Sequence, residues 1–255
     1  MNVGLTPGPN FRRFILENTR VQSPPHLPEI RLHLADEAHD LWHRTEEELK
    51  ASGLEPPFWA FAWAGGQGLA RHVLDNPDCV RGKTILDFAT GSGLVAIAAQ
   101  ISGAAHVLAA DIDPFSADAV ALNSKLNGLA VKHTADNLAG RDHGWDVILA
   151  GDVFYDRLMA EMLLPWFDTL AARGAEILIG DPGRAYLPKE RLERLSVHQI
   201  KVTRALEDQD VRRTIVWRYA LSKLKVSVPV SQQVQHLAKN CLGDICSTSS
   251  ASASF

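Results

Sequence analysis

The sequence predicts an α/β protein built on a doubly wound, mostly parallel seven-stranded sheet that ends in an antiparallel hairpin. Three observations carry this. Apolar runs "TILDF", "HVLAAD", "AVKHT", "WDVILAG" and "AEILIGD" alternate with helical patterns at 94–102, 114–127 and 157–172. The runs are almost continuously apolar, as strands are when helices cover both faces of a parallel sheet. The final pair, "SVHQIKVTRAL" and "VRRTIVWRYAL", is separated only by "EDQD". That link is too short for a helical crossover, so the two strands must pair antiparallel.

The elements before the sheet are read in chain order. Residues 1–28 predict a short helix and then the loop "VQSPPHLPE", whose prolines disfavour helix. "IRLHLA" alternates apolar and polar residues with period two, which predicts a strand over 30–35. "DEAHDLWHRTEEELKASG" follows as a polar helix, with Gly53 at its C-terminal cap. "LEPPFWAFAWAGGQGLARHVLDNP" runs from a Pro-Pro turn through three closely spaced aromatics into a helix over 67–74. If extended, "FWAFAW" places Trp59, Phe61 and Trp63 on one face. Beyond Leu221 the pattern is lost, and "STSSASASF" has the low complexity of a disordered segment. The chain therefore divides into an N-terminal helix and strand extension (1–55), a catalytic-scale domain (56–221) and a C-terminal appendage (222–255).

Composition narrows the function. A net charge of −4 leaves no chain-wide basic footprint for nucleic acid. No stretch reaches the ~18–20 apolar residues that span a bilayer. The first twenty residues interrupt their apolar run with Arg12, Arg13 and Glu17, so they lack the core of a secretory signal. Cys79, Cys241 and Cys246 are odd in number and lack metal-ligand spacing, which fits a reducing compartment and no metal. These readings predict a cytoplasmic monomer, or a matrix protein of mitochondria if the source is eukaryotic, acting on neither nucleic acid nor membrane.

The chemistry lies in "DFATGSGLVAIAA". Gly91, Gly93 and Ala96 satisfy the dinucleotide pattern Gly-x-Gly-x-x-Gly/Ala. Asp111, twenty residues after Gly91, ends the next strand, where a carboxylate accepts from ribose hydroxyls. On this alone the loop could hold NAD, or be a tight strand–helix turn that binds nothing. Asp87 decides between the ligands. A carboxylate ending the first strand of the sheet repels the pyrophosphate of a dinucleotide by on the order of a few kcal/mol. S-adenosylmethionine carries a sulfonium and an ammonium instead, and still offers a ribose to Asp111. The methyl donor is favoured.

"ILDFATGSG" resembles the Asp-x-Gly-x-Gly-x-Gly loop of the class I, seven-strand methyltransferases, which have a Rossmann-like fold. Ala89 stands where the first glycine would be, so this position either keeps φ negative or has room for a methyl group. The combination of "PPFWAFAWAGGQGLARHVLDNP", "GDVFYD" and "ILIGDPGR" is more specific. It resembles the lysine methyltransferases of the electron transfer flavoprotein β-subunit, over roughly residues 24–220. The resemblance implies a donor site of Trp63, Asp87, Ala89, Gly91, Gly93, Asp111, Ile112, Asp136, Asn137 and Gly151. Trp63 would lie over the pocket, with Gly65 and Gly66 permitting close approach, and Asp136 and Asn137 would meet adenine. Catalysis would rest on Asp152 and Tyr155, the Asp-x-x-Tyr after the fourth strand of the sheet. Asp152 would orient the lysine amine and relay its proton, and Tyr155 would wall the channel. Each has a plainer reading: core aromatics, a polar turn, a structural tyrosine.

The activity so implied is methyl transfer to lysine of the electron transfer flavoprotein β-subunit. Transfer to a ribosomal protein or a small amine, an NAD-dependent oxidoreductase, and a donor-binding module without turnover are the alternatives.

Overall fold

A computed structural model describes residues 10–35, 56–202 and 211–221. The helix expected over 36–53, the "EDQD" link, Cys241, Cys246 and the appendage from residue 222 lie outside the described residues.

The expected sheet is present with seven strands, β3 (Thr84–Phe88), β4 (His106–Ala110), β5 (Lys132–Thr134), β6 (Val147–Gly151), β7 (Glu176–Asp181), β8 (Leu192–Lys201) and β9 (Val211–Tyr219). Their order is β5-β4-β3-β6-β7-β9-β8. The first five are parallel; β9 runs antiparallel to both β7 and β8. The chain winds outward from β3 to β5, then returns to β6 on the other side of β3. The carboxyl ends of β3 and β6 therefore flank the switch point, where an open α/β sheet leaves a crevice.

Period two explains how both faces are buried. Leu86 and Phe88 of β3, Ile148 and Ala150 of β6, and Ile177 and Ile179 of β7 face one core with Trp166, Phe167 and Leu170 of α5 (Arg157–Arg173). Ile85, Val147, Leu149 and Leu178 face the opposite core. There they meet Leu69, Ala70 and Val73 of α2 (Ala64–Asp75) and Val95 and Ala98 of α3 (Leu94–Ile101). Helix α4 (Pro114–Leu126) begins at Asp113, whose side chain accepts from the Phe115 amide, with Pro114 at the first helical position. Asp156 caps α5 in the same way through the Met159 amide.

The N-terminal part forms α1 (Phe11–Asn18), β1 (Arg20–Gln22) and β2 (Leu32–Leu34). The loop expected to be irregular after α1 contributes β1, which pairs antiparallel with β2. Period two was visible in 30–35, but three residues of polar-apolar-polar "RVQ" carry no comparable signal.

The segment "FWAFAW" is not extended. Phe58–Ala60 is a 3-10 turn, so the alternation of an extended segment does not run through it. Trp59 and Phe61 are buried with Ile15 and Phe115, and Trp59 stacks on Phe115 at 5.2 Å. Trp63 packs, partly buried, against the same cluster, and its indole N–H donates to the Phe58 carbonyl at 3.0 Å. Helix α2 starts at Ala64, three residues before the expected start, with Trp63 at its cap.

Candidate active site

A cavity of about 1050 Å³ opens at the switch point. Trp63, Asp87, Ala89, Gly91, Asp111, Ile112, Asp136, Asn137, Gly151, Asp152 and Tyr155 all line it. Of the residues expected at the site, Gly93 alone is not part of the lining. It stands behind the loop at the cap of α3, where φ is 81° and an added methyl would meet Val120 Cγ2 at 3.1 Å.

The loop after β3 is held by two carboxylates. Asp87 Oδ2 accepts from the Thr90 hydroxyl and from the Ala96 amide at 2.9 Å, so it joins the strand end to the first turn of α3. Burial pushes the Asp87 carboxyl up to about 7, the Thr90 and Ala96 bonds pull it down, and the charge of Asp111 adds to the rise. This alters the expected role of Asp87. Much of the pocket's fixed negative charge comes from other residues, and the first task of Asp87 is to brace the loop.

Asp111 is the second brace. Its Oδ2 accepts from the Gly91 amide at 2.8 Å and its Oδ1 from the Asp113 amide at 3.0 Å. A carboxylate oxygen has two lone pairs, so each oxygen keeps one for a hydroxyl donor. Gly91 has φ 52°. The replacement of a family glycine by Ala89 is accommodated differently from the expectation of negative φ: Ala89 adopts φ 55°. This left-handed conformation costs roughly 1–2 kcal/mol for a residue with a Cβ.

Asp152 is the other described non-glycine residue with positive φ, at 56°. The two strained residues follow the ends of adjacent strands, β3 and β6, on either side of the crevice. Such strain persists only where the surroundings enforce it. Around Asp152 they do. Its backbone N–H donates to the Gly180 carbonyl at 2.9 Å, and its Oδ2 accepts from the Gly66 amide at 2.9 Å. Its Oδ1 accepts from Arg184 Nε at 3.1 Å and Nη2 at 2.6 Å. Gly65, Gly151 and Gly180 let the start of α2 approach this corner. A methyl on Gly151 would lie 2.9 Å from Gly66 Cα. Gly65 and Gly66 thus serve helix–sheet approach, and the Gly66 N–H binds a carboxylate of the chain itself.

Tyr155 is half-exposed at the mouth, its ring 5.7 Å from that of Phe58. Ile112, Leu158 and Met162 surround the same opening and are 65%, 74% and 41% exposed. Asp136 is on the rim near Arg141, at 3.8 Å, and Asn137 Oδ1 accepts from the Ala139 amide.

Several lining residues carried no assigned role in the sequence. Asp113 and Asp156 are helix caps as well as pocket carboxylates, a signal available from "DIDPF" and "YDRLM". Arg184, within the quoted "ILIGDPGR", lies over the Trp63 ring at 5.8 Å. Among the described lining residues Asp87, Asp111, Asp113, Asp136, Asp152 and Asp156 face one cation, Arg184. This donor set suits a ligand with cationic groups and a ribose, and opposes a pyrophosphate.

Comparison with known proteins agrees with this chemistry. The family model for ribosomal protein L11 methyltransferase (PrmA) matches residues 72–176. The electron transfer flavoprotein beta subunit lysine methyltransferase of Xenopus laevis is 40% identical over 215 residues, covering 82% of this chain and 86% of that protein. Its counterpart in Danio rerio is 39% identical over 218 residues, covering 82% and 83%. That of Homo sapiens is 36% identical over 229 residues, covering 83% and 82%.

Proposed function

The chain belongs to the electron transfer flavoprotein beta subunit lysine methyltransferase family, and from that premise we propose that it methylates lysine side chains of an electron transfer flavoprotein β-subunit. S-adenosylmethionine is its methyl donor. The observation that supports the reading best is the acidic cavity at the switch point, with Asp152 and Tyr155 at one corner and an apolar mouth.

Bound in the cavity, S-adenosylmethionine supplies an electrophilic methyl group. Asp111 and the Gly91 loop would hold its ribose side, and Asp136 and Asn137 its base. The remaining work is positioning of the acceptor, since in-line transfer depends on the two reacting atoms being held close and aligned. Asp152 offers an acceptor oxygen to the amine. Tyr155 and Phe58 form an aromatic wall whose faces suit a methylated ammonium. The exposed side chains of Ile112, Leu158 and Met162 give a protein surface something to bury against, which a small amine would not need. We place the reaction in the cytoplasm, or in the mitochondrial matrix of a eukaryote. No helix of the described residues is long and apolar enough to cross a membrane.

The test is to incubate the protein with electron transfer flavoprotein, ribosomal protein L11 and a small-amine mixture, each with labelled S-adenosylmethionine, and to map the label by mass spectrometry. Label on lysines of the β-subunit is expected. Label confined to the other acceptors, or absent from all, overturns the proposal.

A further inference from the structure

We infer that Asn123 is a positioning residue for the methyl donor: its carboxamide fastens the loop after β3 to the N-terminal strand β2, so the strand holds that loop in its binding shape. The inference goes beyond the lysine methyltransferase reading and rests only on S-adenosylmethionine being the donor. It gives a part in the reaction to residues 10–35, none of which lines the cavity.

Asn123 is fully buried in α4, where its amide N–H and its carbonyl both need partners. Its Nδ2 donates to the Ser92 carbonyl at 2.8 Å, and its Oδ1 accepts from the His33 amide at 2.7 Å. Ser92 follows Gly91 in the cavity lining, whereas His33 is the middle residue of β2. One carboxamide therefore joins two backbones that are remote in the chain. A carboxylate at this position would accept from His33 without donating to Ser92, and a leucine would do neither. Asp87 and Asp111 brace the loop at Thr90 and Gly91 from the ends of β3 and β4. Asn123 is a third brace, at Ser92, and it leads out of the sheet to the N-terminal extension.

The strand is laid out to carry this connection. Leu32 and Leu34 are buried in the core shared with α2 and α3, which fixes β2 in place. The alternate residues turn their backbone groups to neighbouring elements. Asn127, one turn after Asn123, accepts the Arg31 amide on Oδ1 at 2.9 Å and donates Nδ2 to the Arg31 carbonyl at 2.7 Å. The His33 amide goes to Asn123, and the Ala35 amide donates to the Ala60 carbonyl at 3.0 Å. Ala60 ends the 3-10 turn that lies against Gly91. A methyl on Gly91 would stand 3.8 Å from both the Phe58 carbonyl oxygen and Trp59 Cα. One strand edge thus reaches the donor loop twice, through Asn123 at Ser92 and through the turn at Gly91. A loop that loses a brace spends less time in its binding shape, and the apparent donor affinity falls with the competent fraction.

Asn123→Leu, Asn123→Asp and Asn127→Leu separate this role from general support of the fold. S-adenosylmethionine affinity is measured by calorimetry, and kcat on the electron transfer flavoprotein β-subunit at saturating donor. Loss of a buried hydrogen bond predicts about tenfold weaker donor binding in both Asn123 variants, with kcat kept within about threefold. Asn127→Leu releases Arg31 but leaves Ser92 held, so its donor affinity should stay within about threefold of the parent's. Parent-like donor affinity in both Asn123 variants would overturn the inference. So would equal weakening in all three variants, or a loss of kcat as large as the loss of affinity. Hydrogen exchange of the unaltered protein decides even if neither Asn123 variant folds. Coupling between two sites is reciprocal, so saturating S-adenosylmethionine should slow exchange of the His33 amide about tenfold beyond any slowing of the β8–β9 hairpin. Equal slowing of the two would refute the connection. A parent protein that binds the donor but leaves the β-subunit unlabelled would instead strike the lysine methyltransferase reading, and the donor-binding results would stand apart from it.

Discussion

Gly65 and Gly180 meet backbone to backbone: a methyl on Gly65 would lie 2.3 Å from the Gly180 carbonyl oxygen, and one on Gly180 would lie 2.1 Å from the Gly65 carbonyl oxygen. Backbone cannot swing aside as a flexible side chain can. Gly65→Ala should therefore lift the start of α2 from the sheet and lower stability by about 1–3 kcal/mol, as overpacking does. The same shift carries the Gly66 amide away from Asp152, so methylation should fall as well. Urea unfolding reads the first effect and steady-state kinetics the second. Parent-like stability would mean that the helix approaches less closely than this geometry requires.

Asp152→Asn keeps the size of the side chain and one acceptor oxygen for the Gly66 amide, but removes the charge that pairs with the Arg184 guanidinium at 2.6 Å. Turnover on the protein acceptor should drop by roughly 10²–10⁴-fold. Donor affinity should change little, since the carboxylate proposed for the ribose is Asp111. Parent-like turnover at saturating donor would remove Asp152 from the mechanism. A rise in KM alone, with turnover intact, would make it a ground-state contact only.

Asp111→Ala removes two things at once, the expected ribose contact and the acceptor for the Gly91 and Asp113 amides. Hydrogen bonds to a charged acceptor contribute roughly 1.5–3 kcal/mol, so donor binding should weaken by about tenfold to a hundredfold. Loss of the brace also predicts faster hydrogen exchange at the Gly91 amide in the donor-free protein. Slow exchange together with weak binding would assign Asp111 to the ligand alone.

Ala89→Gly relieves a left-handed alanine at φ 55°. The gain of roughly 1–2 kcal/mol is opposed by about 0.4–1 kcal/mol of extra unfolded-chain entropy. The variant should be as stable as the parent or slightly more so by thermal unfolding, whereas most alanine-to-glycine changes destabilise. A clear loss of stability would show that the methyl group packs usefully against the pocket.

Ser196 Oγ lies 2.9 Å from His72 Nδ1 and 2.9 Å from His198 Nε2, and His26 stands 3.4 Å from His198. Burial lowers all three histidines below their ordinary value. A histidine depressed in the folded state contributes stability above its unfolded value near 6.5, and loses it as pH falls through the folded value. Asp87 and Asp181 act in the opposite sense. Their raised carboxyls contribute below the unfolded value and lose that contribution as pH rises through about 7 and about 6. Comparing the parent with a His72→Gln/His198→Gln double variant cancels the aspartates. The parent should lose more stability than the variant between pH 7 and pH 5 in urea titrations; parallel losses would dismiss the histidine cluster as the cause.

Much of the fold was legible because its signals are local. "TILDF", "WDVILAG" and "AEILIGD" needed only their near-continuous apolarity to be read as buried strands, and the short "EDQD" link dictated antiparallel pairing before any contact was known. The half of the cavity proposed for the donor was legible for a related reason. A βα-turn places the end of one strand and the loop that follows it in one spot, so Asp87, Gly91 and, one unit later, Asp111 converge through local geometry. The half proposed for the acceptor is different. Gly66, Asp152 and Arg184 lie far apart along the chain and meet only because β6 and β7 are neighbours and α2 closes down on their ends through glycines. No pattern in the sequence pairs Asp152 with Arg184, and none says that Trp59 and Phe61 are buried with Ile15 and Phe115 while Trp63 stays partly exposed. Sequence by itself determined the fold, the ligand class and which carboxylates stand at the strand ends. Tertiary structure alone decided which donors each carboxylate holds, because a hydrogen bond depends on distances that only packing between remote segments sets.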